Sequence, residues 1–92
     1  MKITVIGGGS SYTPELVEGL IARHASLPMA ELALVDVEAG REKVEIIAAL
    51  SRRMLDRNGL ESVKVSVHFD ADEAITGSSF VLTQLRVGQL PA

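Results

Sequence analysis

Cysteine is absent from all 92 residues of the chain, which excludes a disulfide framework and any thiolate metal site built from these residues. Tryptophan is absent too, and Tyr12, Phe69 and Phe80 are the only aromatics. An interior must therefore be assembled from Val, Ile, Leu, Ala and Met. Basic residues form no cluster and the net charge is −3, which argues against nucleic acid as the main partner. No apolar run approaches the roughly 18 residues of a membrane span. A strand that begins almost at the first residue leaves no stretch with the make-up of a secretory leader. The expectation is a soluble, cytoplasmic protein, and the length allows one small domain at most.

What is present alternates in type. Ile3 to Ile6 is a short continuous apolar run, as in a strand buried on both faces of a parallel sheet. Thr13 offers an N-cap hydroxyl and Pro14 the first helical position, with Leu16, Val17, Leu20 and Ile21 on one face of the helix. Leu32 to Val35 is a second apolar run, ended by Asp36. Gly40 and Arg41 lead into the longest helix, with Val44, Ile47, Ala48, Met54 and Leu55 inward and Asn58-Gly59 closing it. Val63, Val65, Val67 and Phe69 alternate with polar residues, a period-two strand that suits an edge. A short helical link over Asp70 to Thr76 precedes Phe80-Val81-Leu82, the start of a fourth strand. Right-handed crossovers would order these strands 3-2-1-4, the larger part of a doubly wound, Rossmann-like α/β sheet. The sheet reads as unfinished at Ala92, so residues 1–92 are expected to be the N-terminal portion of a nucleotide-binding domain in a longer protein.

Three places could carry chemistry. Gly7-Gly8-Gly9-Ser10-Ser11 lies between a predicted strand and a predicted helix, the context in which glycines bring backbone close to a pyrophosphate and helix N–H groups face its charge. Tyr12 stands where the general dinucleotide fingerprint expects Gly or Ala, so this turn must be shaped differently. A structural turn without a ligand is the alternative. Asp36 ends the second strand, where a carboxylate usually holds the adenosine ribose and favours NAD over NADP; the alternative is a cap on the next turn. Arg41 is close enough in sequence to accept a 2′-phosphate or to be simply solvated. Thr83, Gln84 and Arg86 follow the fourth strand beside the crevice where strand order reverses. Arg86 could hold an anionic substrate group bidentately or pair elsewhere. His24 and His68 read as solvated, and Asp70, Asp72 and Glu73 as groups that stabilise a helix dipole rather than a metal.

At Gly7-Gly8-Gly9-Ser10-Ser11-Tyr12-Thr13-Pro14, Leu34-Val35-Asp36 and Phe80-Val81-Leu82-Thr83-Gln84-Leu85-Arg86-Val87-Gly88 the sequence resembles the NAD-dependent family 4 glycoside hydrolases. The likeness covers nearly the whole chain and favours the 6-phospho-β-glucosidase branch. It implies O-glycosidic hydrolysis by transient oxidation at sugar C3 and elimination across C1–C2, an exception to the two-carboxylate mechanism. NAD is recycled and a divalent metal, typically Mn²⁺, assists. By the same resemblance Gly7, Gly8, Gly9, Ser10, Ser11, Tyr12 and Thr13 would bind the pyrophosphate and Asp36 the ribose. Thr83 and Gln84 would lie beside the nicotinamide, and Arg86 would contact a phosphorylated glycoside substrate. The metal-binding and catalytic residues of the family fall beyond Ala92, so this stretch alone would be inert, and the full-length protein would be a homo-oligomer. Two other readings share the fold: a lactate/malate-type dehydrogenase, which would accumulate NADH, and a non-catalytic nucleotide-sensing module.

Overall fold

The computed structural model describes residues 1–26 and 28–83. Its elements follow the alternation of the sequence: β1 (Lys2–Ile6), α1 (Thr13–Ala22), β2 (Glu31–Val35), a 3₁₀ turn (Glu38–Gly40), α2 (Arg41–Arg57), β3 (Lys64–His68), α3 (Ala71–Ile75) and β4 (Phe80–Thr83). All pairings are parallel and the order is β3-β2-β1-β4, as the right-handed crossover argument predicts. Fold class and strand order therefore stand as expected.

Register decides which side chains share a face. Thr4 pairs with Ala33 and Ala33 with Ser66, so these small residues form one row on the α3 side. There the Thr4 hydroxyl donates to the Ala74 carbonyl at 3.1 Å and also meets the Ser78 hydroxyl. Ile3, Val5, Leu32 and Leu34 point the other way, into a core completed by Val17 and Leu20 of α1 and Val44, Ile47, Ala48 and Leu55 of α2. Each buried Leu or Ile contributes about 1.5–3 kcal/mol relative to exposure. Ser51 sits in this otherwise aliphatic layer because its hydroxyl donates to the Ile47 carbonyl one turn back, at 2.9 Å.

The helix ends show which local rules hold. Gly59 closes α2 with φ at +73°, a left-handed position. Asp70 caps α3, one carboxylate oxygen accepting from the N–H groups of Asp72 (2.9 Å) and Glu73 (3.3 Å). The expected Thr13 cap on α1 is not formed. Tyr12 is the cap residue, with helical dihedrals and no side-chain bond, and Thr13 is already inside the helix. The chain starts turning at Gly7 and enters α1 without the extended residue that a side-chain cap requires. His68 departs from its solvated reading: it is half-buried between the Ser66 hydroxyl (Nε2, 2.9 Å) and Glu73 (Nδ1, 3.6 Å).

Candidate functional site

Ile6 pairs with Val35 and with Thr83, and Val35 with His68. The four strands thus end in one row, and everything that follows them collects at a single edge of the sheet. That row brings Gly7, Asp36 and Thr83 to the same edge of the sheet although they are far apart in sequence. Gln84 and Arg86 lie outside the described residues.

The glycine turn is held by its own hydrogen bonds. Gly7 adopts φ of +81°, open to glycine at little cost. The N–H groups of Gly7 and Gly8 both donate to the Val35 carbonyl at 2.8 Å, which clips the turn over the end of β2. A Cβ on Gly8 would lie 2.7 Å from Cβ of Leu34, so this glycine is required by contact with the neighbouring strand. Gly9 donates its N–H to Oδ2 of Asp36 at 2.8 Å. Ser10 donates to the Gly7 carbonyl, and its hydroxyl accepts from the Tyr12 N–H at 3.1 Å. Thr13 N–H goes to the Ser10 carbonyl at 3.0 Å.

These bonds revise the expectation of a row of free donors. From Gly7 to Thr13, Ser11 has the one backbone N–H with no partner among the described residues. Ser10 is buried, Ser11 and Tyr12 are exposed, and the Thr13 hydroxyl is buried with no partner among the described residues. An unpaired buried hydroxyl costs free energy, and together with the Ser11 N–H at the start of α1 it can serve an anion there.

Asp36 is the hub between the turn and the next loop. Besides Gly9, its carboxylate accepts the N–H of Val37 through Oδ1 at 2.8 Å, and a Cβ on Gly40 would come within 3.3 Å of that oxygen. Each oxygen accepts one bond, leaving further lone pairs for a ligand diol. Around Asp36 runs a crevice of about 340 Å³ lined by Gly7, Gly9, Val37, Ala39, Gly40 and Lys43. Arg41 is turned away into its own contacts: Nε and Nη2 donate to the two oxygens of Glu38 at 3.0 and 2.8 Å. Its guanidinium also lies 4.2 Å from the Phe69 ring centroid. The hydrogen bonds it donates to Glu38 raise its pKa above the ordinary value. In the sequence Lys43 reads as one more charge on an exposed helix face; its place in the crevice follows from where the 3₁₀ turn starts α2.

With this geometry in hand, comparison with known proteins is specific. The model of a family described as Family 4 glycosyl hydrolase matches residues 2–92. The chain is 54% identical over 92 residues to the 6-phospho-beta-glucosidase of Escherichia coli K12, covering all of this chain and 20% of that protein. It is 49% identical over 94 residues to a probable 6-phospho-beta-glucosidase of Bacillus subtilis 168, covering all of this chain and 21% of that one. Among solved structures, the 6-phospho-beta glucosidase of Thermotoga maritima with manganese, NAD⁺ and glucose-6-phosphate superposes with a TM-score of 0.80 at 34% identity, covering 97% of this chain and 20% of that one. The chain thus spans about a fifth of the length of the relatives it matches.

Proposed function

The chain belongs to the family 4 glycosyl hydrolases, and from that premise we propose that it forms the dinucleotide-binding start of an NAD- and metal-dependent 6-phospho-β-glucosidase. The observation that carries the reading is the glycine turn clipped to Val35 and fastened to Asp36 at the carboxyl edge of a 3-2-1-4 sheet. That edge is where open α/β sheets bind dinucleotides. Choice of the β branch is supported by two relatives of that name at about half identity. Both are hydrolases by name, which gives the dehydrogenase alternative no support.

The residues present fit the cofactor. Gly7, Gly8, Gly9, Ser10, Ser11, Tyr12 and Thr13 would take the pyrophosphate, through the Ser11 N–H and the Thr13 hydroxyl, which have no partner among the described residues, and the positive end of α1. Asp36 would accept from the ribose hydroxyls with the lone pairs left by Gly9 and Val37. Thr83, level with Ile6 at the end of β4, and Gln84 would flank the nicotinamide, and Arg86 would contact the phosphorylated sugar. When bound, NAD supplies transient oxidation of the sugar, which makes elimination of the C1 substituent accessible. The chain's own part is to hold that cofactor rigidly at one edge of the sheet, since positioning is the protein's share of cofactor chemistry. Among the described residues no group of three or more His, Asp or Glu gathers as a metal would need. The divalent metal would be held by the part of the protein beyond residues 1–92, which also completes the domain. A cytoplasmic location and self-association of the full-length protein belong to the same proposal; among the described residues no helix is long and apolar enough to cross a membrane.

The test is turnover of 4-nitrophenyl 6-phospho-α- and 6-phospho-β-glucosides by the full-length protein. Nitrophenol is expected from the 6-phosphorylated β-anomer in clear excess over the α-anomer, and not from the unphosphorylated glucoside. Equal turnover with and without the 6-phosphate would remove the substrate assignment. Net NADH production from a hydroxy acid, with no glycoside cleaved, would favour the dehydrogenase.

A further inference from the structure

Two cations open α2 beside the ribose end of the crevice, and they are not equivalent. The guanidinium fork of Arg41 is committed to Glu38 at 3.0 and 2.8 Å, with Glu45 3.8 Å away and the Phe69 ring 4.2 Å from it. A bidentate pair stacked on an aromatic face fixes the plane of an arginine. Lys43 has no ion-pairing carboxylate among the described residues, and it lines the crevice with Asp36, Val37 and Gly40. Its ammonium is a compact charge on a flexible stem, able to reach into the space that Gly40 leaves beside Asp36.

We propose that Lys43 is the cation that meets the 2′ position of the adenosine ribose, and so sets how strongly the site discriminates between NAD⁺ and NADP⁺; this rests on the dinucleotide reading above. Asp36 accepts from a free 2′-hydroxyl and repels a 2′-phosphate, whereas Lys43, lining the same crevice, attracts that phosphate. Discrimination is then a difference between two opposed charges rather than the work of Asp36 alone. NADP⁺ binds, more weakly than NAD⁺, and Arg41 takes no part.

The experiment is calorimetric titration of the full-length protein with each dinucleotide, for the wild type, Lys43→Ala and Arg41→Ala. Lys43→Ala lowers NADP⁺ affinity by roughly tenfold more than NAD⁺ affinity, the size of one lost contact between charged groups. Arg41→Ala leaves the ratio where it was. A ratio unmoved by Lys43→Ala, a shift produced by Arg41→Ala instead, or no NADP⁺ binding to a wild type that binds NAD⁺ overturns the assignment of Lys43. Failure of the wild type to bind NAD⁺ at all overturns the dinucleotide reading itself, and the assignment with it.

Discussion

Gly8→Ala in the full-length protein is expected to lower NAD⁺ affinity by about 10- to 100-fold, the size of losing contacts to a charged group worth about 1.5–3 kcal/mol. The added Cβ would stand 2.7 Å from Cβ and 3.1 Å from Cα of Leu34, and 3.3 Å from the Val35 backbone nitrogen. None of these atoms can rotate away, because Leu34 is buried in β2 between β1 and β3. The turn must move instead, and both N–H bonds to the Val35 carbonyl go with it. Overpacking of this kind also costs about 1–3 kcal/mol of stability. Gly59→Ala is the control. It meets nothing within 4 Å but keeps a φ of +73°, so it should cost about 1–2 kcal/mol of stability and leave NAD⁺ affinity alone. Titration calorimetry with thermal unfolding reads both effects. Wild-type affinity in Gly8→Ala would mean that the turn does not hold the cofactor.

Asp36→Ala is expected to weaken NAD⁺ binding by about 10- to 100-fold, from contacts to a charged group worth about 1.5–3 kcal/mol. Two roles are lost together. The carboxylate ties Gly9 to the loop before α2 through bonds of 2.8 Å to the N–H groups of Gly9 and Val37, and on the proposed reading it would also accept from the ribose hydroxyls. Removing it also removes the repulsion of a 2′-phosphate, so the advantage of NAD⁺ over NADP⁺ should shrink. Asp36→Asn should fall between, since its single carbonyl oxygen can accept from one of the two N–H groups while its amide faces the other. Unchanged affinity for both dinucleotides in Asp36→Ala would remove the assignment.

The sheet and its order were legible because they follow from strong local signals: continuous apolar runs for the inner strands, period-two alternation for β3, and turn residues such as Asn58-Gly59 and Asp70. The position of Asp36 directly after β2 was legible because it is set by strand length alone. Its bond to Gly9 was not, because that depends on two loops meeting across 27 positions of sequence. The Thr13 cap failed for a similar reason. A Thr-Pro pair signals a helix start only when the preceding residue is extended, and here the glycine turn delivers Tyr12 already in helical dihedrals. The spacing rule for dinucleotide turns stresses Gly7 and Gly9, yet Gly8 is also pressed against a neighbouring strand, at Leu34; such contacts between elements leave no periodic mark. Arg41 and Lys43 look alike in sequence, and only the placement of Glu38 and Phe69 separates a cation already paired from one left facing the crevice.

The central claim is that a dinucleotide held by this chain is required for hydrolysis without being consumed. The most direct measurement is the rate of 6-phospho-β-glucoside cleavage by the full-length protein stripped of NAD⁺ and metal, then resupplied with each separately and with both. Cleavage is expected to disappear on stripping, to return only when NAD⁺ and Mn²⁺ are both present, and to proceed with no net accumulation of NADH. Cleavage that continues undiminished in the fully stripped protein would contradict it.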